Sequence, residues 1–451
     1  MNNVLQKTTA ALERYADKKL AIGVSGGRDS VCLLHAVINC GLLEKKQITV
    51  VHVNHCLRKE ADRDENFVRR LCAEYAVDFR AFRVNVKQTA AKNGSTIEQA
   101  ARNLRYAVFY ELVSSGVADI VLTAHHALDN AETVLMHLFR GAGIDGLRGM
   151  ANDAVKPLNT INSTYAHTLK NIKTIRPFIE VYPNELDEYV KENKLEYVVD
   201  STNFVDDADR NFIRLNVIPL IEQRYSGAVR AVNAFAKDCA AACSALDGML
   251  DRSLIVRDRG AVIVKNAALG GPLAARYIRH ALAYFTTVDI TREQIERTAA
   301  LYGSRTGAVI ELTGGIRAAR EYAGVALYIL RAECEQSIPI EVGGNYIDGL
   351  AVDIESNAED INVKGGAVDL DKLDGAVFRF RRDGDYFTPF GGVRKKLNRY
   401  FIDNKIEKRV RDRIPLICRG DEVLVVVGYQ IADSVKLTEN TVNKAVVKQR
   451  W

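Results

Sequence analysis

A short glycine-rich segment near the start of the chain separates a strand pattern from a helix pattern. Residues 20–24 form an apolar run of strand length, and apolar residues recur at helical spacing over residues 31–38. The segment between them, residues 25–30, reads Ser-Gly-Gly-Arg-Asp-Ser. Glycines at such a junction let backbone N–H groups approach an anion, and the positive end of the helix attracts it. The pattern therefore predicts a phosphate-binding turn at residues 25–30.

Asp29 distinguishes this segment from an ordinary turn. A tight strand-to-helix turn with a capping serine explains Ser25 and the glycines, but it gives no reason for a carboxylate beside an anion site. The carboxylate is explained if it holds Mg²⁺ against the phosphates. Short glycine-rich matches also arise by chance, so the segment alone leaves both interpretations open.

Two commoner nucleotide-binding motifs are absent or misplaced. The chain contains no G-x-x-x-x-G-K-S/T, and the G-x-G-x-x-G at residues 141–146 follows a helical apolar pattern instead of a strand. Residues 141–146 are therefore predicted to be a loop that ends a helix. The Ser-Gly-Gly-x-Asp-Ser pattern of residues 25–30 instead resembles the PP-loop of the ATP pyrophosphatase superfamily. That resemblance implies cleavage of ATP between its α and β phosphates.

Composition limits the possible class of protein. A chain of 451 residues with 47% hydrophobic and 26% charged residues is typical of a soluble protein with two or three domains. Because the net charge is only +5, a nucleic-acid site must come from local clustering of basic residues. No apolar run is long enough for a signal peptide or a membrane span. The eight cysteines include no C-x-x-C pair, so we expect reduced core residues in a cytoplasmic protein.

Strand and helix patterns alternate over the first part of the chain. Strands are predicted at residues 47–54, 79–86 and 119–123, and helices at residues 64–76 and 96–113. This alternation predicts a doubly wound parallel sheet, whose ligands bind beyond the carboxyl ends of the strands. Residues 25–30, 54–58 and 125–126 each follow a predicted strand. They are therefore expected to lie at one site.

The segment His-His-Ala-Leu-Asp-Asn-Ala-Glu-Thr, residues 125–133, carries two carboxylates three positions apart. Asp129 and Glu132 would share one helix face, although acidic residues in a first turn also simply favour the helix dipole. A zinc site is disfavoured because adjacent histidines diverge and no matching ligand cluster is nearby in sequence. Two close carboxylates instead suit an amine substrate, which they can hold and deprotonate.

Arginines accompany these segments. Arg105 lies three positions after Arg102 on a predicted helix and could meet a phosphate or a carboxylate, although a solvated charged face is the ordinary arrangement. Arg210 and Arg214 lie in the segment Arg-Asn-Phe-Ile-Arg, which follows Asp-Ser-Thr-Asn at residues 200–203. Arginines beside an anhydride-forming site would stabilise its developing charge.

Taken in order, these segments closely resemble the tRNA(Ile)-lysidine synthetase family. Seven segments match over about two hundred residues, a specific signal; they are residues 25–30, 53–58, 101–106, 125–133, 140–147, 200–203 and 210–214. Two positions depart from the family pattern. Leu128 stands where the family usually has Asp, and Asn130 stands where it has Gln, whereas Asp129 is retained.

The resemblance implies an ATP-dependent ligase that modifies tRNA. ATP would adenylate the C2 oxygen of the wobble cytidine in a CAU-anticodon isoleucine tRNA, and the ε-amine of free L-lysine would then expel AMP to form lysidine. One alternative is a PP-loop tRNA thiolase, which typically requires the paired cysteines that this chain lacks. A non-catalytic RNA-binding protein is the other, and the intact segment at residues 25–30 disfavours it.

Each candidate residue then receives a role. Catalytic roles are assigned to Asp29, Arg105, Asp129, Glu132 and Arg210. ATP binding is assigned to Ser25, Gly26, Gly27, Arg28, Asp29, Ser30, Asn54, His55, Arg58 and His125. Lysine binding is assigned to Asp129, Glu132 and Arg105, and Mg²⁺ binding, through ATP, to Asp29.

The rest of the chain is expected to form two further domains. Residues 224–253 have a helical pattern, residues 255–330 mix helices with short strands such as 261–264, and the Gly- and Asp-rich residues 336–366 suggest a boundary. The resemblance implies a small, mostly helical substrate-binding domain and an α+β tRNA-binding domain after the doubly wound PP-loop domain. The predicted domains are residues 1–220, 221–335 and 336–451.

A basic segment at residues 394–413 is the candidate RNA-binding surface. Lysines and arginines outnumber acidic residues there, and Tyr400 and Phe401 lie among them. A charged run is usually a solvated face, but basic and aromatic residues together favour contact with RNA. Contact with tRNA is assigned to Arg394, Lys395, Lys396, Arg399 and Arg214. The oligomeric state is left open, with a homodimer as one option.

Overall fold

The computed structural model describes most of the chain as two compact units, Met1–Leu250 and Asp251–Trp451. The described residues are 2–57, 60–156, 172–198, 208–285, 290–330, 335–348, 350–356 and 367–450. Arg58 and residues 200–203, both part of the sequence predictions, lie outside them. The three-domain division stays a prediction.

The first unit is built on a six-stranded sheet with the order β3-β2-β1-β4-β6-β5. Its strands are β1 (Leu20–Gly23), β2 (Ile48–Asn54), β3 (Asp78–Arg83), β4 (Ile120–Leu122), β5 (Asp153–Lys156) and β6 (Ile172–Ile175). All neighbouring pairs are parallel except β5 with β6. The predicted doubly wound parallel sheet is confirmed. Because the chain order reverses between β1 and β4, the loops after these two strands border the crevice where ligands bind in such sheets.

Helices cover both faces of this sheet. They are α1 (Asn3–Leu12), α2 (Arg28–Asn39), α3 (Ala61–Tyr75), α4 (Val86–Asn93), α5 (Ile97–Ser114), α6 (Ala127–Phe139), α7 (Ile144–Leu147), α8 (Pro183–Asn193), α9 (Ala208–Phe212), α10 (Ile218–Arg224) and α11 (Ala228–Gly248). Leu20 and Ile22 of β1 pack into the layer formed by α1, α2 and α8, whereas Ala21 packs against Phe109 of α5. A strand buried on both faces requires an apolar run, as residues 20–24 have.

Two local predictions can be compared with the structure. The strand predicted at residues 79–86 is too long, because β3 ends at Arg83 and Asn85 caps α4 by accepting a hydrogen bond from the Gln88 N–H at 3.1 Å. The loop predicted at residues 141–146 follows the end of α6 as expected, but it is shorter than predicted, because residues 144–146 already belong to α7. There α6 ends at Phe139, and Gly141 has φ +75°, a left-handed conformation that glycine adopts without strain.

The beginning of the second unit contains helices and an antiparallel sheet. The helices are α12 (Asn266–Leu269), α13 (Ala274–Leu282) and α14 (Arg292–Ala300). The sheet has the order β7-β8-β11-β10-β9, with strands β7 (Ile255–Asp258), β8 (Ala261–Lys265), β9 (Val309–Glu311), β10 (Ile316–Arg320) and β11 (Gly324–Ile329). The strand expected at residues 261–264 is therefore confirmed as β8.

The end of the second unit is rich in strands. One sheet contains β12 (Ser337–Pro339), β16 (Val377–Arg379), β17 (Tyr386–Phe387), β18 (Lys395–Lys396), β19 (Leu416–Arg419), β20 (Glu422–Val426) and β21 (Gln430–Ile431). The other contains β13 (Gly343–Ile347), β14 (Leu350–Ser356), β15 (Ala367–Asp369) and β22 (Lys444–Arg450). Both sheets share a core with α15 (Leu397–Asp403) and α16 (Lys408–Arg411). The mixed fold class expected from the sequence is confirmed. None of the described helices is both long and apolar enough to cross a bilayer.

Candidate active site

The predicted phosphate-binding turn lies between β1 and α2, as expected. Gly26 has φ +96°, and a Cβ added there would lie 3.4 Å from Val68, so the turn favours glycine. Ser30 Oγ donates to the Gly27 carbonyl at 2.9 Å and accepts from the Ser25 N–H at 3.2 Å. These bonds hold the turn closed while the first N–H groups of α2 remain outside the helical hydrogen-bond pattern. The geometry suits an anion, and phosphate binding stays a prediction.

Asp29 lies in the first turn of α2, where its carboxylate meets the side chains of Arg28 and His126. Its Oδ1 accepts from Arg28 Nε at 2.8 Å, and its Oδ2 lies 3.5 Å from His126 Nε2. Burial acts to raise the pKa of Asp29, but the hydrogen bond and charge of His126 and the charge of Arg28 outweigh it and hold the pKa below its usual value. Asp29 is therefore an ionised carboxylate, and 34% of its side chain is exposed.

The loop after β4 brings two histidines to the same edge of the sheet. His126 caps α6: its N–H donates to Asp129 Oδ2 at 2.9 Å, and its Nδ1 accepts from the Asp129 N–H at 3.4 Å. Burial would lower the pKa of His126, but the charges of Asp129 and Asp29 raise it. His126 thus connects the carboxylate of the turn at residues 25–30 to the first carboxylate of α6.

His125 has the opposite character. Its Nδ1 lies 2.9 Å from Thr123 Oγ1, and burial lowers its pKa to about 3. Asp129 opposes this shift, whereas the charges of Arg176, Arg102 and Arg105 add to it. His125 is therefore a neutral imidazole at physiological pH. Within the described part of the chain, no group of three His, Cys, Asp or Glu side chains is arranged to hold a metal ion.

Asp129 and Glu132 lie on one face of α6, and Arg214 spans both. Arg214 Nε donates to Glu132 Oε1 at 2.5 Å, while its NH2 group lies 2.9 Å from Glu132 Oε2 and 3.1 Å from Asp129 Oδ1. Arg210 Nε lies 3.2 Å from Glu132 Oε2. The paired carboxylates therefore already hold guanidinium groups. Arg214, assigned from the sequence to tRNA, lies against the carboxylates, and its tRNA contact stays a prediction.

The two carboxylates differ in acidity. Burial raises the pKa of Glu132, whose side chain is fully buried, and Arg214 only partly offsets this effect. Asp129 is partly buried, which acts to raise its pKa, but His126, His125 and the His126 N–H outweigh this effect and lower it. Neighbouring groups whose environments separate their pKa values suit different steps of one reaction. Asp129 is suited to keep its charge, and Glu132 to exchange a proton.

Three arginines lie near His125, and one of them, Arg176, belongs to no sequence motif. Helix α5 brings Arg102 and Arg105 close enough to lower the pKa of His125. Arg176, directly after β6, is 3% exposed and donates from NH1 to the Ala151 carbonyl at 2.7 Å. No motif marks Arg176, because its position follows only from the pairing of β6 with β4.

Asn54, assigned to ATP, is a buried residue at the carboxyl end of β2. Its Nδ2 donates to Asp62 Oδ1 and Glu65 Oε2 at 3.2 Å, and its Oδ1 accepts from the Cys56 N–H at 3.0 Å. Its amide is therefore engaged by α3 and its own loop. ATP contact by Asn54 and His55 stays a prediction.

The two departures from the family pattern have structural contacts. Leu128 packs against the apolar cluster of Leu135, Ile213 and Ile218. Asn130 donates from Nδ2 to Asn233 Oδ1 at 2.9 Å and accepts at Oδ1 from the Met150 N–H at 2.6 Å. Both side chains thus connect α6 to neighbouring parts of the first unit.

The basic segment at residues 394–413 differs from its sequence interpretation. Tyr400 and Phe401 are 3% and 0% exposed, so the expectation that they lie among the surface cations is wrong. They share the inward face of α15 with Leu397, which helical spacing places beside them. Lys395 Nζ and Arg399 Nε each lie 3.0 Å from a carboxylate oxygen of Asp403.

Other cations of the same segment are also engaged. The Arg394 guanidinium lies 3.7 Å from the centre of the Tyr386 ring, whereas Lys396 is exposed. The side chain of Arg409 is 5% exposed and pairs with Glu321 at 2.9 Å and Asp258 at 3.1 Å. Part of the basic segment is therefore structural. The exposed cations of the segment are Arg394, Lys396, Arg399, Lys405 and Lys408.

Comparisons with known proteins agree with the motifs. Residues 1–221 match the family model of the PP-loop domain, and residues 377–447 match that of the TilS substrate C-terminal domain. The tRNA(Ile)-lysidine synthase of Clostridium tetani is 32% identical over 456 residues, covering 95% of this chain and 94% of that protein. The enzyme of the same name from Caldanaerobacter subterraneus is 32% identical over 482 residues, covering 99% and 97%. That from Parabacteroides distasonis is 29% identical over 455 residues, covering 97% of each. The resemblance inferred from the seven segments is confirmed.

Proposed function

The chain belongs to the tRNA(Ile)-lysidine synthase family, and on this premise we propose that it joins lysine to the wobble cytidine of a CAU-anticodon isoleucine tRNA. ATP adenylates the C2 oxygen of that base and releases pyrophosphate. The ε-amine of lysine then attacks carbon C2, the bond from C2 to the adenylated oxygen breaks, and AMP leaves. One observation carries the proposal. The contacts Arg28–Asp29–His126–Asp129 join the predicted phosphate-binding turn to the acidic residues of α6 in one continuous series of polar side chains.

The turn at residues 25–30 is proposed to hold the phosphates of ATP. Its glycine conformation and the N-terminus of α2 supply backbone N–H groups to an anion. Arg28 is fixed by Asp29 and by Asp187, whose Oδ1 accepts from NH1 at 2.7 Å. This places a cation beside the turn without closing it.

Asp29 is proposed to hold Mg²⁺ together with the phosphates. The site fits this ion, because Asp29 is ionised and partly exposed, and Mg²⁺ is commonly bound by one or two carboxylates plus substrate phosphates. When bound, the ion would supply positive charge to the pyrophosphate leaving group. His126 keeps Asp29 ionised by donating from Nε2, while its Nδ1 is engaged at the start of α6.

Asp129 and Glu132 are proposed to receive the ε-ammonium of lysine, with Arg105 nearby for the opposite charge of the amino acid. The amine must lose its proton before it can attack. Glu132 is the better acceptor of that proton, since burial raises its pKa while that of Asp129 is lowered. Asp129 stays charged and keeps the amine in place.

The tRNA is proposed to contact the beginning of the basic segment, through Arg394, Lys395, Lys396 and Arg399. Exposed guanidinium and ammonium groups there can neutralise backbone phosphates.

We further propose a cytoplasmic location, which the free, buried Cys32, Cys72, Cys239, Cys243 and Cys418 support. A homodimer stays a prediction, and measuring the molecular mass of the protein particle in solution would test it.

Pyrophosphate exchange tests the proposal directly. Purified protein should exchange labelled pyrophosphate into ATP when the tRNA is present, with or without lysine, because adenylation precedes amine attack. Lysidine should form only after lysine is added. Sulfur transfer to the base without lysine would favour the thiolase alternative, and tRNA binding without any exchange would favour a non-catalytic protein.

A further inference from the structure

We propose that Arg214 is an internal cation that occupies the amine pocket and is displaced by the ammonium of the incoming substrate. The inference rests on the proposed role of Asp129 and Glu132 as the lysine site. It assigns to Arg214 a role in setting the affinity of that site for lysine. It also identifies the departure of Arg214 as the step that makes the carboxylates accessible to the substrate amine.

The contacts of Arg214 match those that the substrate amine requires. Three of its N–O distances to Glu132 and Asp129 lie between 2.5 and 3.1 Å. Guanidinium and ammonium groups both carry one positive charge and only donate hydrogen bonds. Because both would use the same carboxylate oxygens, they cannot fully occupy the pocket together.

Burial explains why the two carboxylates need a cation beside them. The side chain of Glu132 is 0% exposed and that of Asp129 is 17% exposed. Removing the partner of a buried charge is strongly destabilising. An internal cation keeps the carboxylates paired while no substrate is bound.

Arg214 is also suited to leave. Its side chain is 30% exposed, whereas that of Arg379, which pairs with Asp385 in the other unit, is 2% exposed. It lies on a π-helical turn, Ile213–Val217, between α9 and α10. Such wide turns are frequent at functional sites.

Charge balance is preserved when the cations exchange. Before exchange, Asp129 and Glu132 face Arg210 and Arg214. After exchange, they face Arg210 and the ammonium. Arg210 is able to stay because its NH2 group also donates to Thr133 Oγ1 at 3.0 Å. The exchange therefore needs no change in the protonation of the pocket.

The KM for lysine distinguishes a competing Arg214 from one that only positions the carboxylates. Lysine can bind only during the fraction of time in which the internal competitor is out of the pocket. The apparent affinity for lysine is therefore reduced by that fraction. Removing Arg214 should then lower the KM for lysine. If Arg214 only oriented the carboxylates, removing it would raise that KM.

The test uses Arg214→Ala in the full chain, with lysine varied at saturating ATP and tRNA. We expect the KM for lysine to fall on the order of tenfold, the value for a competitor that occupies the pocket about nine-tenths of the time. Methylguanidinium, which restores the missing group, should inhibit Arg214→Ala competitively against lysine and inhibit the native chain far less. Arg224→Ala, an exposed arginine on α10, serves as the control and should change neither quantity.

A KM that rises or stays unchanged in Arg214→Ala overturns the inference, as does methylguanidinium acting as an activator. If the alanine variant does not fold, Arg214→Lys keeps a cation with fewer donors and should lower the KM by a smaller factor. Glu132→Gln separates the two levels of the proposal. If this variant leaves lysine kinetics intact, the amine pocket itself is wrong, whereas a raised lysine KM combined with a raised KM in Arg214→Ala overturns only the exchange.

Discussion

Glu132→Gln is the substitution that most directly tests the amine pocket. It keeps the size of the side chain and removes its charge. In the structure the two carboxylate oxygens lie 2.5 and 2.9 Å from Arg214 and one lies 3.2 Å from Arg210, so cationic donors surround this group. A hydrogen bond to a charged partner contributes about 1.5–3 kcal/mol. If the lysine ammonium takes one such bond, its loss should raise the KM for lysine roughly 10- to 150-fold, since each 1.36 kcal/mol is a factor of about ten.

The same substitution should also lower the stability of the fold, by a free energy similar to the one lost in lysine binding. Arg214 keeps its contact with Asp129 and is 30% exposed, so solvent offsets part of the lost pairing. We expect a loss of about 1–3 kcal/mol in the free energy of unfolding, which a domain of ordinary stability tolerates.

Steady-state kinetics with lysine and ATP varied separately provide the assay, and chemical denaturation provides the stability measurement. Glu180→Gln is the matched control: Glu180 also pairs with two cations, Lys7 and Lys237, but it is 40% exposed. It should leave both KM values unchanged. A collapse of ATP affinity in Glu132→Gln with unchanged lysine KM would refute the assignment of the pocket.

Three further outcomes follow from the structure. Asp29→Asn should slow pyrophosphate release on the order of 10²-fold without unfolding the chain, and release near the native rate would remove Asp29 from the reaction. Replacing Lys395, Lys396 and Arg399 with alanine should weaken tRNA binding and reduce the slope of log K against log salt by about one unit per lost phosphate contact, with ATP binding as the control; an unchanged slope means a solvated face. The pKa of His125 is about 3 in the folded chain and 6.5 ordinarily, so as the pH falls the unfolded chain takes up this proton before the folded chain does. The contribution of His125 to stability is therefore fully present above pH 6.5 and is lost as the pH falls toward 3. His125→Asn should flatten that decline in denaturation curves, and an identical pH dependence would show that the imidazole is not buried as a neutral group.

Local patterns in the sequence were sufficient to predict the strand and the helix on either side of the turn at residues 25–30. The apolar run of β1, the helical spacing of α2 and the glycines between them are signals within about twenty residues, and they predicted the order strand, turn, helix. The same holds for α5, α6 and the long helix α11 (Ala228–Gly248). These elements are specified by period and composition, which do not depend on distant partners.

Short strands in the second unit lacked such a signal. Strands β17 and β18 contain two residues each. They pair with one another, and β17 also pairs with β20. Their existence depends on partners elsewhere in the chain, which no local window contains. The burial of Tyr400 and Phe401 has the same cause, because the sheet under α15 determines which of its faces is covered.

The sequence by itself determined which chemical groups are present at the candidate site and which strand ends bring them together. Asp29, Asp129 and Glu132 were all assigned roles from motifs, since the carboxyl ends of parallel strands share one edge. His126 lies in the same motif, but the sequence assigned a role only to its neighbour His125. Only the tertiary structure decided how those groups are paired. Arg214 is 82 residues from Glu132 along the chain, yet it bonds to both of its oxygens. Pairing across such a separation depends on how α6 packs against the helices that follow it, and charge patterns in a sequence carry no information about that distance.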